Sequence, residues 1–199
     1  MFSYIRLMQM INTYGLLVLA WVLFGILHSL MASKVIKEGL PLSKLNYRRL
    51  YNFLSTLFFL FLILYGAVIP SEYLLSAGKA SQAVGLIMAT FGYLLLKLVF
   101  KEISFSSFIG YKEEDSDDLI TSGIYKRVRH PIYTATVLLF AGFFFFNPTI
   151  THLVHFIAAT FYIIIGAYFE EKKLIQNFGE AYLSYRKNTP FIIPKIRLK

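Results

Sequence analysis

Five apolar segments, each close to the length that crosses a lipid bilayer, constrain the fold of this 199-residue chain more than any other feature. A helix that spans the hydrocarbon core needs about 20 mostly apolar residues. In chain order the segments are Tyr14–Met31, Leu50–Ile69, Gln82–Phe100, Ile132–Phe146 and Thr149–Phe169. Hydrophobic residues make up 57% of the chain, against roughly 45–50% in soluble domains. The sequence therefore predicts an all-α membrane protein with five transmembrane helices.

The fourth and fifth segments are separated only by the pair Asn147-Pro148. Proline disfavours helical conformation in the residue before it, so the fourth helix is expected to end here. The two segments therefore form a predicted helical hairpin with almost no loop. The chain is too short for a separate soluble catalytic domain, and residues 1–199 are expected to form one membrane domain. In that domain 1–100 supply three spans, and 101–199 supply the hairpin and a polar C-terminal helix.

Lysine and arginine residues are concentrated in alternate connections between the apolar segments. The basic connections are the first, the third and the C-terminal one, with Lys34, Lys37, Lys44, Arg48 and Arg49; Lys101, Lys112, Lys126, Arg127 and Arg129; and Lys172, Lys173, Arg186, Lys187, Lys195, Arg197 and Lys199. The second connection, 70–81, carries only Lys79, and the turn at Asn147 carries no basic residue. Cytoplasmic loops carry an excess of basic residues. We therefore expect the N-terminus outside and the C-terminus in the cytoplasm.

The formal net charge of +9 has two readings, binding of nucleic acid or contact with anionic lipid. Because the charges flank apolar spans, the lipid headgroup reading is favoured, and no nucleic-acid partner is expected. The chain has no cysteine, which excludes disulfides, thiolate metal sites and a cysteine nucleophile. No metal is expected.

The first motif with chemical potential is the segment Gly123–Tyr133, directly before the fourth span. Pro131 suits the first turn of a helix, where its missing N–H has no helical partner to lose. The N-terminal amides of that helix would favour a carboxylate, and Arg129, His130 and Tyr133 add donors beside them. The alternative is an interfacial anchor, in which basic and aromatic residues sit at the level of the lipid headgroups.

The second motif begins with Glu170 and Glu171 at the end of the fifth span. Ionisable groups next to an apolar span are costly and are usually partnered or functional. One of these carboxylates could accept hydrogen bonds from a ribose diol, or pair with Arg127 or Arg129 as a structural bridge. The helix continues with a stripe on one face that is more typical of packing: Leu174, Phe178, Tyr182 and Tyr185.

Together the two motifs resemble the integral-membrane methyltransferase superfamily that includes isoprenylcysteine carboxyl methyltransferases and phospholipid N-methyltransferases. The shared pattern is G-x-Y-x-x-x-R-H-P-x-Y-x-G, a hairpin, and then E-E-x-x-L-x-x-x-F-G-x-x-Y-x-x-Y ending in prolines, over about 119–194 of this chain. Ala135 stands where the family usually has glycine. The resemblance implies that 101–199 bind S-adenosylmethionine in cytoplasmic segments. The implied cofactor contacts are Leu119, Ile120, Tyr125, His130, Pro131, Tyr133 and Glu170.

The methyl acceptor is indicated by a departure from that pattern. The carboxyl-methylating branch places an arginine four residues before the paired acids, where this chain has Gly166. The segments His28–Ser33, Tyr47–Asn52, Asn147–Leu153 and Tyr162–Gly166 are similar to methanethiol S-methyltransferases and NnrU-like membrane proteins. This resemblance implies methyl transfer to a small or membrane-soluble thiol. An isoprenylcysteine carboxylate or a phospholipid amine is the alternative acceptor.

A general base would help to ionise a thiol acceptor, and Glu171 and His28 are the candidates. For His28 the alternative is a histidine at the end of a helix, at headgroup level. A non-enzymatic scaffold or transporter is a further alternative. It is disfavoured because the chain has no inverted repeat and places its ionisable residues at the interface.

Overall fold

The computed structural model describes residues 2–109, 111–112 and 118–194, and this part of the chain is built from helices. The α-helices are α1 (Phe2–Met31), α2 (Lys34–Gly39), α3 (Lys44–Val68), α4 (Lys79–Glu102), α5 (Phe105–Phe108), α6 (Pro131–Phe146), α7 (Ile150–Phe178) and α8 (Glu180–Asn188). A short 3-10 helix covers Gly123–Lys126. Of the basic residues predicted to mark the C-terminal segment, Lys195, Arg197 and Lys199 lie outside the described residues.

Four of these helices are long and apolar enough to cross a membrane by length and composition: Met10–Met31 within α1, Lys44–Val68, Lys79–Glu102 and Ile150–Phe178. They match the first, second, third and fifth predicted segments, which fits an integral membrane protein. Helix α6 has 16 residues, about 24 Å at 1.5 Å per residue, against a hydrocarbon core of about 30 Å. A fifth crossing by α6 therefore stays a prediction.

The ends of the long helices follow from local capping. Helix α3 begins six residues before the predicted apolar segment because the Ser43 side chain accepts a hydrogen bond from the amide of Asn46. Thr149 caps α7 in the same way through the amide of His152. Helix α7 continues past the apolar segment and ends at Gly179, whose φ of 52° suits glycine.

Helices α4 and α6 pack backbone to backbone along a line of small residues. A Cβ at Gly92 would lie 2.8 Å from the carbonyl oxygen of Ala135, and a Cβ at Gly142 would lie 2.8 Å from the amide nitrogen of Ala89. Such small residues let membrane helices approach closely, where dispersion contacts replace the hydrophobic drive available in water. The pair α4–α6 therefore fixes the start of α6, which carries the first motif.

A second packing centre joins α1, α3, α6 and α7. The Trp21 indole is buried among aromatic and aliphatic side chains, and its Nε1 donates to Nδ1 of His155 at 2.9 Å. Gly66 leaves the space that the His155 ring occupies. The pairing satisfies two polar groups inside an apolar bundle and gives His155 a structural role. The residues at the heart of this cluster are Leu17, Trp21, Phe24, Leu62, Phe140 and Ala159.

The turn of the α6–α7 hairpin is as short as predicted, with α6 ending at Phe146 and α7 beginning at Ile150. The connection between α3 and α4 holds this turn in place. The amide of Leu74 donates to the carbonyl of Pro148 at 2.8 Å, and the amide of Ile150 donates to the carbonyl of Glu72 at 3.0 Å. The turn of the hairpin is thus anchored by the connection between α3 and α4. The opposite end is anchored where the C-terminal tail bonds to the entry to α6.

Candidate active site

The first motif opens with a glycine that no other residue can replace without strain. Gly123 has φ of 52°, and a Cβ there would overlap the carboxylate of Glu102 at the end of α4. The hydroxyl of Ser122 donates to the same carboxylate at 2.5 Å. Glu102, at the end of α4, therefore holds in place the turn that leads to Tyr125.

The C-terminal tail lies against the entry to α6. The amide of Arg129 donates to the carbonyl of Pro190 at 2.9 Å, and the amide of His130 donates to the carbonyl of Phe191 at 3.2 Å. The hydroxyl of Thr134 donates to the carbonyl of Ile192 at 2.8 Å. These bonds hold the tail in place and use the backbone amides of the two residues that precede α6.

Glu171 is the hub that joins the two motifs. Its Oε1 accepts from Nε of Arg129 at 2.8 Å and lies 3.2 Å from Nε2 of His130. Its Oε2 lies 3.4 Å from Nε of Arg186. The residue is 8% exposed, so the carboxylate is nearly surrounded by donors. This settles the earlier alternative between Arg127 and Arg129 as its partner in favour of Arg129.

Glu170 points away from that hub. Its Oε2 is 3.5 Å from Nδ1 of His130, and the hydroxyl of Tyr133 is hydrogen-bonded to the same carboxylate. The rings of His130 and Tyr133 are stacked, with centroids 5.3 Å apart. His130 therefore stands between the two acids, with one ring nitrogen toward each, and fixes the direction in which Glu170 faces.

A cavity of about 810 Å³ lies between these elements, within the usual range of about 300–1,000 Å³ for small-molecule sites. Its walls come from the end of α4, α5, the segment 118–125, the entry to α6, and the facing sides of α7 and α8. Five of the seven predicted cofactor residues line it: Leu119, Ile120, Tyr125, His130 and Glu170. The first and second motifs are thus brought to one site.

Two tyrosines give this cavity neutral hydrogen-bonding groups. The hydroxyl of Tyr185 donates to the carbonyl of Tyr125 at 2.7 Å. Burial raises the pKa of Tyr125 to about 12, helped by the nearby carboxylate of Glu170, and burial raises the pKa of Tyr185 to about 12 as well. Both side chains therefore stay protonated at neutral pH and can donate.

The remaining wall is held by the start of α3. Nη1 of Arg48 donates to the carbonyl of Ser107 at 3.1 Å, and the Asn52 amide donates to the carbonyl of Phe108 at 3.2 Å. Both carbonyls belong to residues that line the cavity. Two positions of the Tyr47–Asn52 segment thus position a cavity wall, a role that the sequence resemblance did not specify.

The other predicted site residues do not line the cavity. Pro131 is buried at the first turn of α6, and Tyr133 reaches the site through His130 and Glu170. Glu171 lies behind the wall, in the ion-pair hub. His28 on α1 lies between two tyrosines in the interior of the bundle. The roles predicted for these four residues stay predictions.

His28 has well-defined partners. The hydroxyl of Tyr51 is 2.6 Å from its Nε2, and the hydroxyl of Tyr162 is 2.5 Å from its Nδ1. Tyr51 comes from α3 and Tyr162 from α7, so three helices meet at this ring. Both ring nitrogens are thus engaged by neighbouring helices, in the last turn of α1.

Sequence reasoning singled out neither Glu102 nor Asn177, although both line the cavity. The signal that drew attention to Glu170 was present at Glu102 too, since it is an acid that directly follows an apolar span. Asn177 gave no such signal, because a polar residue on an exposed helix is common. In the described residues, 2–109, 111–112 and 118–194, no group of three His, Cys, Asp or Glu side chains could hold a metal ion.

The two residues that depart from the family's sequence pattern, Ala135 and Gly166, do not line the cavity. Ala135 is fully buried against Gly92 of α4 and does not line the cavity, so its extra methyl group bears on helix packing. A Cβ at Gly166 would meet nothing within 4 Å, so the position has room for a side chain. The chain therefore lacks an arginine at a place where the fold would accept one.

Comparison with known proteins agrees with this architecture. The sequence model of the phospholipid methyltransferase family matches residues 80–181, which run from α4 into α8 and include the first motif and the Glu170–Phe178 part of the second. Methanethiol S-methyltransferase 2 of Bradyrhizobium diazoefficiens is 30% identical over 189 residues, which cover 87% of this chain and 70% of that protein.

Two further relatives match over shorter segments of this chain. Methanethiol S-methyltransferase of Pseudomonas deceptionensis is 41% identical over 76 residues, 37% of this chain and 28% of that enzyme. Protein-S-isoprenylcysteine O-methyltransferase of Xenopus laevis is 34% identical over 126 residues, 58% of this chain and 41% of that enzyme. The matched segment thus spans less than half the length of either protein. The longer matches, over half of the chain and over most of a relative, place the chain in the phospholipid methyltransferase family.

Proposed function

We propose that this protein is a membrane-embedded methyltransferase that transfers a methyl group from S-adenosylmethionine to a small or membrane-soluble thiol. The observation that carries the proposal is that Glu170 and the 119–125 segment, from the two motifs, line one cavity. Membership of a methyltransferase family agrees with a methyl donor in that cavity.

The residues of the cavity suit this donor. Leu119 and Ile120 offer apolar surface to an adenine ring, and the Glu170 carboxylate can accept hydrogen bonds from a ribose diol. The protonated hydroxyl of Tyr125 adds a donor. Bound S-adenosylmethionine supplies a methyl group on a sulfonium, and the protein contributes mainly alignment of the acceptor with it.

Glu171 is better suited to holding this site together than to taking a proton. Its two oxygens already face Arg129, His130 and Arg186, which leaves little room for a thiol proton. The pairing with Arg129 also favours the ionised carboxylate. Of the two predicted bases, His28 therefore has the stronger case.

The thiol acceptor is supported by two observations. Relatives named methanethiol S-methyltransferase match the chain, one of them over most of both proteins. Gly166 stands where a guanidinium would suit a carboxylate substrate. A second candidate, an isoprenylcysteine carboxylate, is favoured by the isoprenylcysteine O-methyltransferase of Xenopus laevis, which matches over 58% of this chain. A phospholipid amine is the third acceptor class.

We place α6 as a fifth, short crossing, with the N-terminus outside and the C-terminus in the cytoplasm. The basic connections support this orientation, because α5, the 3-10 helix and α8 then lie on the basic side. The cavity between them would open toward cytoplasmic S-adenosylmethionine.

The proposal is tested with purified full-length protein in detergent. Isothermal titration with S-adenosylhomocysteine is expected to show one site per chain. Incubation with labelled S-adenosylmethionine and, separately, an alkanethiol, a farnesylcysteine analogue and a phospholipid amine then identifies the acceptor. Label in the thioether alone supports the proposal. Label in the farnesylcysteine ester alone, or no binding of S-adenosylhomocysteine, contradicts it.

A further inference from the structure

The cluster formed by His28, Tyr51 and Tyr162 has no role in holding the cavity walls. It lies where α1, α3 and α7 meet, with an imidazole between two phenol hydroxyls. Ionisable and polar groups in the interior of a membrane bundle are costly and usually serve a function. We call these three residues the His28 cluster.

The hydrogen-bonding capacity of the ring limits what the cluster can offer to a ligand. A neutral imidazole has one N–H donor and one bare nitrogen that accepts. Because each nitrogen faces a tyrosine oxygen, one tyrosine donates to the ring and the other accepts from it. The donating tyrosine points its proton at the bare ring nitrogen and keeps the lone pairs of its oxygen free to accept a proton. The cluster therefore presents this tyrosine hydroxyl, with the imidazole behind it, to any bound molecule.

The cluster and the cavity share helix α7. Tyr162 precedes Glu170 by eight residues on this helix, about 12 Å along the helix axis. Tyr133 of α6 stacks on His130 in the cavity wall, with ring centroids 5.3 Å apart. Its hydroxyl also lies within electrostatic range of Glu170, Tyr51 and Tyr162. Tyr133 therefore links the cavity wall to the His28 cluster.

Helix α1 leaves space for the Tyr162 ring. A Cβ at Gly25, one turn before His28, would lie 3.2 Å from Cδ2 of the Tyr162 ring. The ring of Phe24 packs against Tyr162 at 5.5 Å between centroids. Glycine therefore lets this tyrosine approach the helix that carries the histidine, and the geometry of the cluster is fixed by packing.

We propose that the His28 cluster is the acceptor subsite, where a thiol binds to a tyrosine hydroxyl and loses its proton through that hydroxyl to His28. The proposal rests on the proposed function. It places the acceptor on the membrane side of the cavity, which suits a thiol that partitions into lipid.

The acceptor thiol gives up its proton before the methyl group is transferred. The S–H bond breaks and its proton passes to the tyrosine oxygen, while the tyrosine's own proton passes to a ring nitrogen of His28. The products are a thiolate, a neutral tyrosine and an imidazolium. The thiolate then forms the new S–CH3 bond as the sulfonium–methyl bond breaks, and that electron pair returns to the sulfonium sulfur. The imidazolium later releases its proton to water.

The test compares acceptors that do and do not need deprotonation. Full-length His28→Gln, Tyr51→Phe and Tyr162→Phe are assayed with S-adenosylmethionine and either an alkanethiol or a more acidic aromatic thiol that is ionised at the assay pH. We expect His28→Gln and at least one tyrosine variant to lose about 100-fold in turnover on the alkanethiol. On the ionised thiol the loss should be much smaller.

The matched control is Tyr14→Phe, which also removes a hydrogen-bonding hydroxyl from α1, the bond to the carbonyl of Pro70. It should behave as the wild type on both acceptors. Unchanged affinity for S-adenosylhomocysteine in every variant confirms that the cavity has folded. Equal losses on both thiols, or no loss on either, would overturn the subsite. Failure of the wild type to bind S-adenosylhomocysteine would instead overturn the proposed function.

Discussion

Arg129 and Glu171, which lie at the entry to α6 and within α7, form an ion pair of 2.8 Å that joins the two sequence motifs. Both side chains are about nine-tenths buried. The same carboxylate lies 3.4 Å from the guanidinium of Arg186 on α8. One acid thus connects three helical elements, and its partner Arg129 also bonds to the carbonyl of Thr189 in the C-terminal tail.

Replacing Glu171 with alanine is expected to destabilise the protein strongly, because it leaves the buried Arg129 charge without its partner. Breaking a buried pair in this way costs roughly 3–5 kcal/mol. The measurement is thermal unfolding of the purified protein in detergent. Glu180→Ala is the matched control, since this acid is exposed in the first turn of α8. A midpoint for Glu171→Ala equal to that of the control would contradict the hub assignment.

Replacing Glu170 with alanine should affect binding more than stability. Its carboxylate lines the cavity, and a hydrogen bond to a charged group contributes about 1.5–3 kcal/mol, so we expect affinity for S-adenosylhomocysteine to fall at least ~10-fold. Titration calorimetry measures the change. Gln176→Ala, at an exposed position of α7, should bind normally. Wild-type affinity in Glu170→Ala would remove this residue from the cofactor site.

The sequence allowed prediction of the long helices because bilayer thickness and hydropathy determine where apolar segments can lie. It did not place helix ends, since hydropathy ignores capping. Helix α3 starts at Lys44 under the Ser43 cap, and α7 continues to Phe178, where Gly179 with its positive φ ends it. Local hydrogen bonds, which act on polar residues outside the membrane, decide both boundaries.

At the site, the motif residues were predictable but their partners were not. The sequence left a ribose diol, Arg127 and Arg129 open as partners of the Glu170-Glu171 carboxylates, and only the fold pairs Glu171 with Arg129. The bond from His130 to Phe191 joins backbones 61 residues apart and depends on no side chain that a pattern could reveal. The Tyr51 and Tyr162 contacts to His28 likewise depend on how three helices pack.

Gly123→Ala should lower the stability of the fold by more than the backbone strain of alanine at a positive φ. Both Gly123 and Gly179 have φ of 52°, a sparsely populated region in which a residue with a Cβ costs roughly 1–3 kcal/mol. A Cβ at Gly179 would meet nothing within 4 Å, whereas one at Gly123 would overlap Glu102. Gly179→Ala therefore measures the strain, and Gly123→Ala measures strain plus overlap.

The two variants are expected to separate in a binding measurement. Gly123→Ala displaces Glu102 and Tyr125, both of which line the cavity, so its affinity for S-adenosylhomocysteine should fall. Gly179→Ala should lower the unfolding midpoint slightly and leave affinity near the wild-type value. The double variant Gly123→Ala with Glu102→Ala removes the overlap and should regain stability relative to Gly123→Ala. Equal affinities in the two single variants would show that the overlap has no effect on the site.

Gly142→Ala tests the contact between α4 and α6. The new Cβ would lie 2.8 Å from the backbone nitrogen of Ala89, and backbone atoms cannot move aside as a flexible side chain can, so the helices must separate. Gly15→Ala on α1 is the control, because a Cβ there meets nothing within 4 Å and alanine favours helix. Thermal unfolding in detergent should show a lower midpoint for Gly142→Ala and an unchanged or higher one for Gly15→Ala. Because α6 carries His130 at its start, loosening this contact should also weaken binding of S-adenosylhomocysteine. Equal midpoints for the two variants would show that close backbone approach does not stabilise this pair.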